Sequence, residues 1–251
     1  MEFLEIIKAI ILGIVEGVTE WLPVSSTGHM ILVDEFLKLN VSKEFMEMFL
    51  VVIQLGAIFG SYFIILEKIF PFKFDNGVKV EKDTIIMWVK ILIACVPAAI
   101  VGVLFDDKLN ELFYNPTTVA IMLILFGILF IIIENYNKGK SPKINSLSKI
   151  TYTVAIMIGI FQLIAAVFPG TSRSGATIVG ALLIGVSRTI AAEFTFFLAV
   201  PVMFGYSLLK VIKMSVAITS SELVILIVGC ARCICCFTCS DQVPNELYQK
   251  A

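Results

Sequence analysis

The fold is decided by residues 150–187, which read ITYTVAIMIGIFQLIAAVFPGTSRSGATIVGALLIGVS. An apolar run, residues 150–168, ends at a turn of proline, glycine and hydroxyl residues, and a second apolar run, residues 176–187, follows at once. The second run is too short to cross about 30 Å of hydrocarbon alone. We therefore predict a re-entrant or broken helix, which membranes tolerate where protein covers the free backbone or water fills a cavity.

Composition places the whole chain in a membrane. Of the 251 residues, 59% are hydrophobic and 16% charged, and the mean hydropathy is +0.97, whereas a soluble domain has about 45–50% apolar residues. The net charge of −1 gives no overall field to attract nucleic acid, so phosphate binding would require a local site. We expect no cleaved signal peptide, because the N-terminal apolar stretch lacks a small-residue cleavage site.

Six apolar runs have about the length of a membrane-spanning helix. They are residues 45–66, 84–104, 116–133, 150–168, 193–212 and 221–239. Residues 3–20 and 29–39 are also apolar, but the latter is too short to cross alone. The predicted fold class is therefore an all-α polytopic membrane protein with re-entrant or broken helices.

Lysines indicate the orientation of the chain. Lysine-rich loops at residues 67–90 and 135–149 flank two spans, whereas the loop between these spans holds only Lys108. The positive-inside rule places the lysine-rich loops in the cytoplasm. The start of the 45–66 span and the end of the 150–168 span are then expected toward the outside.

The turn at residues 169–175 has a counterpart near the start of the chain. Residues 23–28, PVSSTG, match residues 169–175, PGTSRSG, at an offset of 146, and Phe59-Gly60 matches Phe204-Gly205 at an offset of 145. Chance similarity is the alternative to an internal repeat, but membrane-protein repeats commonly surround one site near the midplane. The predicted boundaries are 1–134 for the first half, 135–149 for a cytoplasmic linker, 150–239 for the second half and 240–251 for an atypical polar tail.

Two acids precede the first of these turns. Glu16 and Glu20 are four residues apart, so on a helix both carboxylates project from one face. An ionised carboxylate in an apolar segment needs a partner or a metal ion. The alternative is a pair at the membrane interface, but these acids lie beside the turn and not beside the other charges of segment 3–20. We therefore predict a functional pair.

The only histidine of the chain, His29, follows the same turn. A single histidine is more often structural than catalytic, but imidazole exchanges protons near neutral pH. The hydroxyls of Ser25, Ser26 and Thr27 lie two to four residues away. A hydroxyl beside a base is the minimal arrangement for an activated nucleophile.

The second turn is suited to an anion. Its glycines, hydroxyls and following helix N-terminus provide hydrogen-bond donors and partial positive charge, and Arg173 is a planar donor matched to phosphate oxygens. A glycine hinge with an interfacial arginine is the alternative. The Gly170-x4-Gly175 spacing superficially matches a P-loop, but Ala176 occupies the place of its lysine, and a nucleotide-hydrolysing P-loop is rejected. Glu16 and Glu20 are the expected partners of Arg173.

Four other polar residues carry weaker predictions. Gln54 and Gln162 lie in apolar runs and either pack between helices or line a cavity. Arg188 and Glu193 flank the start of a span, where a solvated interfacial pair is expected.

The two motifs together resemble those of a known family. Residues 16–29, EGVTEWLPVSSTGH, and 169–177, PGTSRSGAT, are similar to motifs of the bacterial undecaprenyl-diphosphatases, membrane enzymes associated with bacitracin resistance. Residues 53–57 and 191–194 also resemble that family, and the likeness runs from about residue 1 to 229. It implies removal of the terminal phosphate of undecaprenyl diphosphate, which regenerates the lipid carrier for cell-wall synthesis. It also implies an inverted repeat in a multi-pass plasma-membrane protein.

The resemblance implies a set of site residues. The catalytic residues are then Glu16, Glu20, Ser26, His29 and Arg173. The resemblance adds Thr177 to this site, and we predict the substrate-binding residues to be Ser25, Thr27, Gln54, Gly170, Thr171, Ser172, Ser174, Gly175 and Thr177. Glu16 and Glu20 are also the implied ligands of a divalent cation, Mg²⁺ or Ca²⁺. The implied site opens to the outer face, and a homodimer is a further expectation.

Two other functions compete with this one. A transporter would move the lipid phosphate across the bilayer without cleaving it, since inverted repeats and broken helices are typical of transporters. A structural membrane protein would leave the ionisable and hydroxyl groups of both turns unexplained.

The chain departs from the family after Gly229. Cysteines crowd between Cys230 and Cys239, and a polar tail follows from Ser240. Two Cys-x2-Cys pairs indicate zinc as one interpretation, but they nearly abut and leave little chain to form a tetrahedral site. We expect instead a truncated or frame-altered terminus, which affects stability and dimer packing more than the site.

Overall fold

A computed structural model of the chain describes residues 3–20, 22–60, 70–73, 79–213 and 217–240. The helices of this part are α1 Phe3–Thr19, α2 Ser26–Leu37, α3 Lys43–Val52, α4 Gln54–Gly60, α5 Lys82–Phe113, α6 Pro116–Asn137, α7 Tyr152–Val167, α8 Arg173–Ile184, α9 Arg188–Lys213 and α10 Ser220–Ser240. Leu147–Lys149 form a 3₁₀ turn. Strands β1 Phe72–Lys73 and β2 Lys79–Val80 pair antiparallel, with Phe72 opposite Val80.

Three of these helices are long and apolar enough to cross a membrane: Lys82–Leu109 within α5, Pro116–Asn137 and Arg188–Lys213. Large apolar side chains on their outer faces, such as Leu104 and Ile124, are exposed. Such faces are favourable only against lipid. The predicted fold class, an all-α polytopic membrane protein with an inverted repeat and broken helices, is confirmed.

Two predicted spans differ from the observed helices. The 45–66 span is broken at Ile53 into α3 and α4, and its residues 61–66 lie outside the described residues. The 150–168 span yields only the 16 residues of α7, about 24 Å of helix and less than the hydrocarbon thickness. Hydropathy alone does not register such interruptions, and α7 begins where the Thr151 side chain caps it.

Helices α1 and α2 form a first hairpin whose tip is residues 20–25, and α7 and α8 form a second hairpin whose tip is residues 168–172. A serine caps the second helix of each: Ser25 Oγ accepts from Gly28 N at 3.2 Å and Ser172 Oγ accepts from Gly175 N at 3.0 Å. Both second helices have 12 residues. The hairpins are therefore built to the same plan.

The two hairpins point in opposite directions. The end of α8 lies beside the linker, where Lys143 N donates to Gly185 O at 2.8 Å. The end of α2 lies beside the start of α1, where Lys8 Nζ donates to Lys38 O at 3.0 Å. Helix α9 begins beside the linker, where Ser187 N donates to Ile144 O. It ends near α3, which follows α2 in the chain, and there Lys210 Nζ is 3.9 Å from Glu47 Oε2. The ends of α8 and α2 therefore lie at opposite ends of α9, and the repeat is inverted.

The two halves also interlock. Helix α10 packs on α1, so that a Cβ on Gly13 would lie 2.6 Å from Gly229 O. Helix α5 packs on α7, where a Cβ on Gly159 would lie 2.3 Å from Ala94 O. Gly13 and Gly159 are 146 residues apart, which is the offset of the repeat. Each half therefore supplies a helix that packs on the first helix of the other half.

The predicted half boundaries stay predictions, although some helix ends bear on them. Helix α6 continues to Asn137, so the first three residues of the predicted 135–149 linker are helical. The polar tail at 241–251 and Trp21 of the first motif lie outside the described residues.

Candidate active site

The tips of the two hairpins meet. A Cβ on Gly28 would lie 3.4 Å from Gly170 Cα, and a Cβ on Gly175 would lie 3.0 Å from Pro23 O. Gly170 has φ of 89°, and a Cβ there would lie 2.7 Å from Val119 Cα, so the position accepts only glycine without strain. The N-termini of α2 and α8 are thereby brought to one place. Each contributes partial positive charge, and together they favour an anion.

An ion pair joins the two tips. Arg173 Nη2 donates to Glu20 Oε1 at 3.0 Å, and the side chains of both residues are largely buried. The other carboxylate oxygen, Oε2, accepts from Ser26 Oγ at 2.5 Å. The expected pairing of Arg173 with an acid of the first motif is therefore present. The hydroxyl of Ser26 has Glu20 as its basic neighbour.

Glu16 is fully buried, and neither of its carboxylate oxygens has a hydrogen-bond partner in the described structure. It lies close to Glu20, Ser26 and Arg173, but Ser26 donates its single proton to Glu20 and Arg173 also bonds Glu20. A buried carboxylate needs a proton, a cation or a donor. Glu16 is therefore the side chain of this site with the strongest need for a further partner.

His29 lies beside the tip but bonds its backbone. Its Nδ1 is 2.8 Å from Ser25 O. Because a carbonyl oxygen only accepts, Nδ1 must carry the proton, and a neutral ring then leaves Nε2 able to accept one. The pairing of His29 with a serine hydroxyl, which the sequence indicated, has no counterpart among the described bonds. His29 instead offers Nε2 for proton transfer to or from a bound molecule.

Ser25 has φ of 66°, in the left-handed region that a non-glycine residue rarely adopts. Such backbone conformations cost about 1–3 kcal/mol and persist where the surroundings enforce them. The strain lies next to Ser26, whose hydroxyl faces Glu20. The cap bond from Gly28 N to Ser25 Oγ is one of the contacts that offset this strain.

Hydroxyl groups surround the second tip. Ser172 Oγ lies 3.1 Å from Ser174 Oγ, and Thr177 Oγ1 donates to Arg173 O at 2.9 Å. Thr171 Oγ1 is buried without a partner. The hydroxyl proton of Thr177 is used within α8, so Thr177 supports the start of this helix. The predicted substrate-binding roles of these hydroxyls stay predictions.

Gln54 connects α4 to the first tip. Its Nε2 donates to Thr27 Oγ1 at 2.9 Å and to Leu50 O at 3.1 Å. The break at Ile53 places this amide at the start of α4, within reach of α2. Gln54 therefore holds Thr27 in position, which fits the alternative of packing between helices, and its substrate-binding role stays a prediction.

The sequence did not predict two groups of interacting residues. Thr195 on α9 accepts from Arg173 Nη1 through its carbonyl at 3.4 Å and donates from Oγ1 to Thr177 Oγ1 at 2.9 Å. Far from the tips, Asp106 on α5 accepts from Lys210 Nζ and Tyr206 Oη, both at 3.1 Å. Thr195 gave no sequence signal, whereas Asp106 stood at the end of an apolar run.

The expected solvated pair of Arg188 and Glu193 stays a prediction, but Arg188 also has a partner on another helix. Its guanidinium bonds both carboxylate oxygens of Glu134, joining α9 to α6. The sequence indicated only neighbours in the chain, and this partner is 54 residues away.

The cysteine cluster forms part of α10. Cys233 is fully buried, with its carbonyl oxygen 2.7 Å from where a Cβ on Gly17 would lie, while Cys235 is exposed. Among the described side chains, which exclude that of Cys239, no group of three or more His, Cys, Asp or Glu is placed to hold a metal ion. Cys233 thus packs against α1, and the interpretation of the cluster as a truncated or frame-altered terminus stays a prediction.

The fold and the site together define an α-helical membrane protein with an inverted repeat, in which two helix N-termini meet beside a largely buried cluster of Glu16, Glu20, Ser26 and Arg173. Residues 9–240 match the family described as bacitracin resistance protein BacA, and the chain belongs to this family. It is 68% identical over 229 residues to an undecaprenyl-diphosphatase of Desulfitobacterium hafniense, covering 91% of this chain and 82% of that protein.

Two further relatives have similar coverage. Undecaprenyl-diphosphatase 1 of Clostridium acetobutylicum is 66% identical over 229 residues, covering 91% of this chain and 84% of that protein. The undecaprenyl-diphosphatase of Enterococcus faecalis is 57% identical over 233 residues, with coverage of 92% and 84%.

Proposed function

We propose that the meeting tips of the two hairpins hydrolyse a lipid diphosphate. The chain is an undecaprenyl-diphosphate phosphatase: it converts undecaprenyl diphosphate to undecaprenyl phosphate and phosphate, recycles the carrier for cell-wall synthesis and confers bacitracin resistance. The names of the relatives support hydrolysis over transport without cleavage. The observation that carries the proposed site is the line Arg173–Glu20–Ser26, which lies where two helix N-termini meet.

Arg173 and the two helix N-termini hold the diphosphate. The guanidinium has five N–H donors, and its described bonds are one to Glu20 and one to Thr195. The remaining donors are available to phosphate oxygens. Phosphoryl transfer depends on positioning and on stabilisation of charge, which these donors supply without further rearrangement.

Ser26 is the proposed nucleophile. Its Oγ forms a bond to the terminal phosphorus as the bond from that phosphorus to the bridging oxygen breaks, and undecaprenyl phosphate leaves. Glu20, 2.5 Å away, takes the hydroxyl proton. Water then attacks the phosphoserine and releases phosphate, and Ser26 regains a proton.

His29 is the proposed proton carrier for the water step. With Nδ1 bonded to Ser25 O, Nε2 is the nitrogen that accepts a proton from the attacking water. Because this backbone bond orients the ring, His29 does not have to be oriented by a further acid.

Glu16 and Glu20 are the proposed ligands of a divalent cation, Mg²⁺ or Ca²⁺. The two unpartnered and buried oxygens of Glu16 fit this role, since Mg²⁺ is commonly bound by one or two carboxylates together with substrate phosphates. When bound, such an ion neutralises charge that develops on the phosphate. Glu16 and Glu20 would hold it on the side of the first hairpin.

The site is proposed to open to the outside of the plasma membrane. Val119, which contacts Gly170, lies in the first turn of α6, and the other end of α6 leads to the lysine-rich linker. If that linker is cytoplasmic, the tips lie nearer the outer face. The homodimer stays a prediction.

Release of phosphate from undecaprenyl diphosphate by the purified protein in detergent tests this proposal. Arg173→Ala and Glu20→Ala should abolish release, since each removes half of the ion pair at the tips. The matched control is Lys8→Ala, which breaks a similarly buried pair with Glu5 at the far end of α1 and should retain activity per folded protein. Wild-type protein without phosphate release, or an active Arg173→Ala protein, contradicts the proposal.

Trapping of labelled phosphate tests the nucleophile. Under single-turnover conditions label should appear on Ser26 and be absent in Ser26→Ala. Complete turnover without any labelled serine would instead assign the attack to water.

A further inference from the structure

Gln162 on α7 is almost fully buried, at 1% exposure, and neither the oxygen nor the nitrogen of its amide has a hydrogen-bond partner. An unpaired amide in an apolar interior costs about 1–3 kcal/mol judged from mutations in proteins. Among the described side chains, the buried polar atoms without a partner belong to Glu16, Gln162 and Thr171. Glu16 and Thr171 belong to the site described above, which makes Gln162 the member that needs an explanation.

The repeat relates Gln162 to Glu16. Gln162 stands seven residues before Pro169, as Glu16 stands seven residues before Pro23. Gly159 and Gly13, each three residues earlier, hold equivalent close contacts with a neighbouring helix. Because the hairpins are inverted copies that meet at their tips, equivalent residues lie at equivalent distances from the junction. Gln162 therefore occupies in the second half the position that Glu16 occupies in the first.

The surroundings of Gln162 offer little to its amide. The buried face of α7 that carries it also carries Val154, Ala155 and Ile158. The neighbouring helices are α5, which contacts Gly159, and α8, where Phe161 lies over Gly180. Backbone groups inside helices bond within their own helix. No described residue pairs with the amide, and a bound molecule or the water that accompanies it would supply a partner.

We propose that Gln162 is a substrate-binding residue that donates from Nε2 to an oxygen of the bound diphosphate, on the side of the site where Arg173 lies. The inference rests on the proposed function. A neutral amide is suited to this place, because a second carboxylate there would repel the phosphate that Arg173 attracts. Glu16 and Gln162 thus divide the roles: the acid serves the cation, and the amide serves the anion.

Gln162→Leu separates this role from a structural one. Leucine is similar in shape to glutamine but has no amide and no charge, so the unfolding temperature in detergent should stay equal or rise. The kcat/KM for undecaprenyl diphosphate should fall about 10- to 100-fold, as for loss of one hydrogen bond to a charged group, with most of the change in KM. Gln162→Glu should lower kcat/KM further.

Gln54→Leu is the matched comparison, because the Gln54 amide is bonded within the chain to Thr27 and Leu50. That variant should have both a lower unfolding temperature and a lower activity than the wild type. If the unfolding temperature of Gln162→Leu is also lowered, or if its kcat/KM stays within twofold of the wild type, the inference is overturned.

Binding of methylenediphosphonate, a non-hydrolysable diphosphate, keeps this inference distinct from the proposed reaction. It should raise the unfolding temperature of the wild type more than that of Gln162→Leu. A protein that releases no phosphate but shows this difference overturns the reaction and supports the role of Gln162. An equal rise in both proteins, or no rise in either, overturns the role of Gln162, whereas the reaction itself is judged by phosphate release alone.

Discussion

The two hairpins have one backbone plan and different chemistry. In each, a 12-residue helix follows a serine cap and ends at a residue in the left-handed region, Lys38 with φ of 47° in the first and Gly185 with φ of 93° in the second. The first carries two acids and a histidine near its tip, whereas the second carries an arginine and no acid there. Inversion brings these complementary sets together.

The difference between the hairpins shows which properties of the site come from the shared backbone and which come from the side chains. Two identical hairpins meeting at their tips would still offer two helix N-termini to an anion. They would have no ion pair like Arg173–Glu20 and no carboxylate beside a serine hydroxyl. Binding of the anion thus follows from the shared backbone, and proton transfer and cation binding follow from the divergence of the side chains.

Glu16→Gln tests the divergence most directly, because it gives the first hairpin the residue found in the second. Phosphate release should fall about 100-fold or more, as for loss of one preorganised charged group, and its dependence on Mg²⁺ or Ca²⁺ should weaken. The unfolding temperature should stay equal or rise, since an amide costs less to bury than an unpartnered carboxylate.

Glu5→Gln provides the control for this change. Glu5 is also buried on α1, but it bonds Lys8 and Asn40 at the far end of the hairpin. This variant should lose stability and keep activity per folded protein. Normal turnover by the Glu16→Gln protein would show that Glu16 takes no part in the reaction.

Gly13→Ala and Gly159→Ala test the shared packing of the two halves. A Cβ at either position would overlap a backbone oxygen, at 2.6 Å and 2.3 Å respectively. Each change should lower the free energy of unfolding by about 1–3 kcal/mol, measured by thermal unfolding in detergent. Gly205→Ala is the control, since nothing lies within 4 Å of its added Cβ, and it should be neutral or stabilising. Unequal losses at Gly13 and Gly159 would break the equivalence of the two interlocked contacts.

The sequence predicted the broken helices and the meeting of the two motifs, because both depend on patterns that short windows contain. Apolar runs end at proline, glycine and hydroxyl residues, and Arg173 requires an acid inside a membrane. The pairing of Arg173 with Glu20 in preference to Glu16 was not predictable, since both acids lie on one helical face. Nor was the partner of Arg188, because contacts between α6 and α9 depend on how distant helices pack.

The interlocking of the halves was beyond the sequence for a similar reason. Gly13 and Gly159 are ordinary glycines in apolar runs, and only the packing of α10 and α5 gives them a role. The break at Ile53 was missed because Gln54 alone is a weak signal, and its bonds to Thr27 and Leu50 appear only when α2 and α4 lie side by side. The sequence thus predicted the residues that carry the chemistry of each motif, but it did not predict the contacts between helices.

Replacing each cap serine by glycine tests the smallest difference between the hairpins. Ser25 has φ of 66° and Ser172 has φ of −60°. Glycine removes the cap hydroxyl at both positions, which costs about 0.3 kcal/mol relative to serine, but it relieves left-handed strain of about 1–3 kcal/mol only at position 25. Ser25→Gly should therefore be neutral or stabilising, and Ser172→Gly slightly destabilising.

Serine to alanine at the same positions completes this test. Alanine removes the hydroxyl and leaves the backbone strain, so both alanine variants should lose about 1 kcal/mol in thermal unfolding. The contrast between hairpins should thus appear with glycine and vanish with alanine. If Ser25→Gly were as destabilising as Ser25→Ala, the left-handed backbone at this tip would not be strained, and the start of α2 would owe its orientation to the cap bond alone.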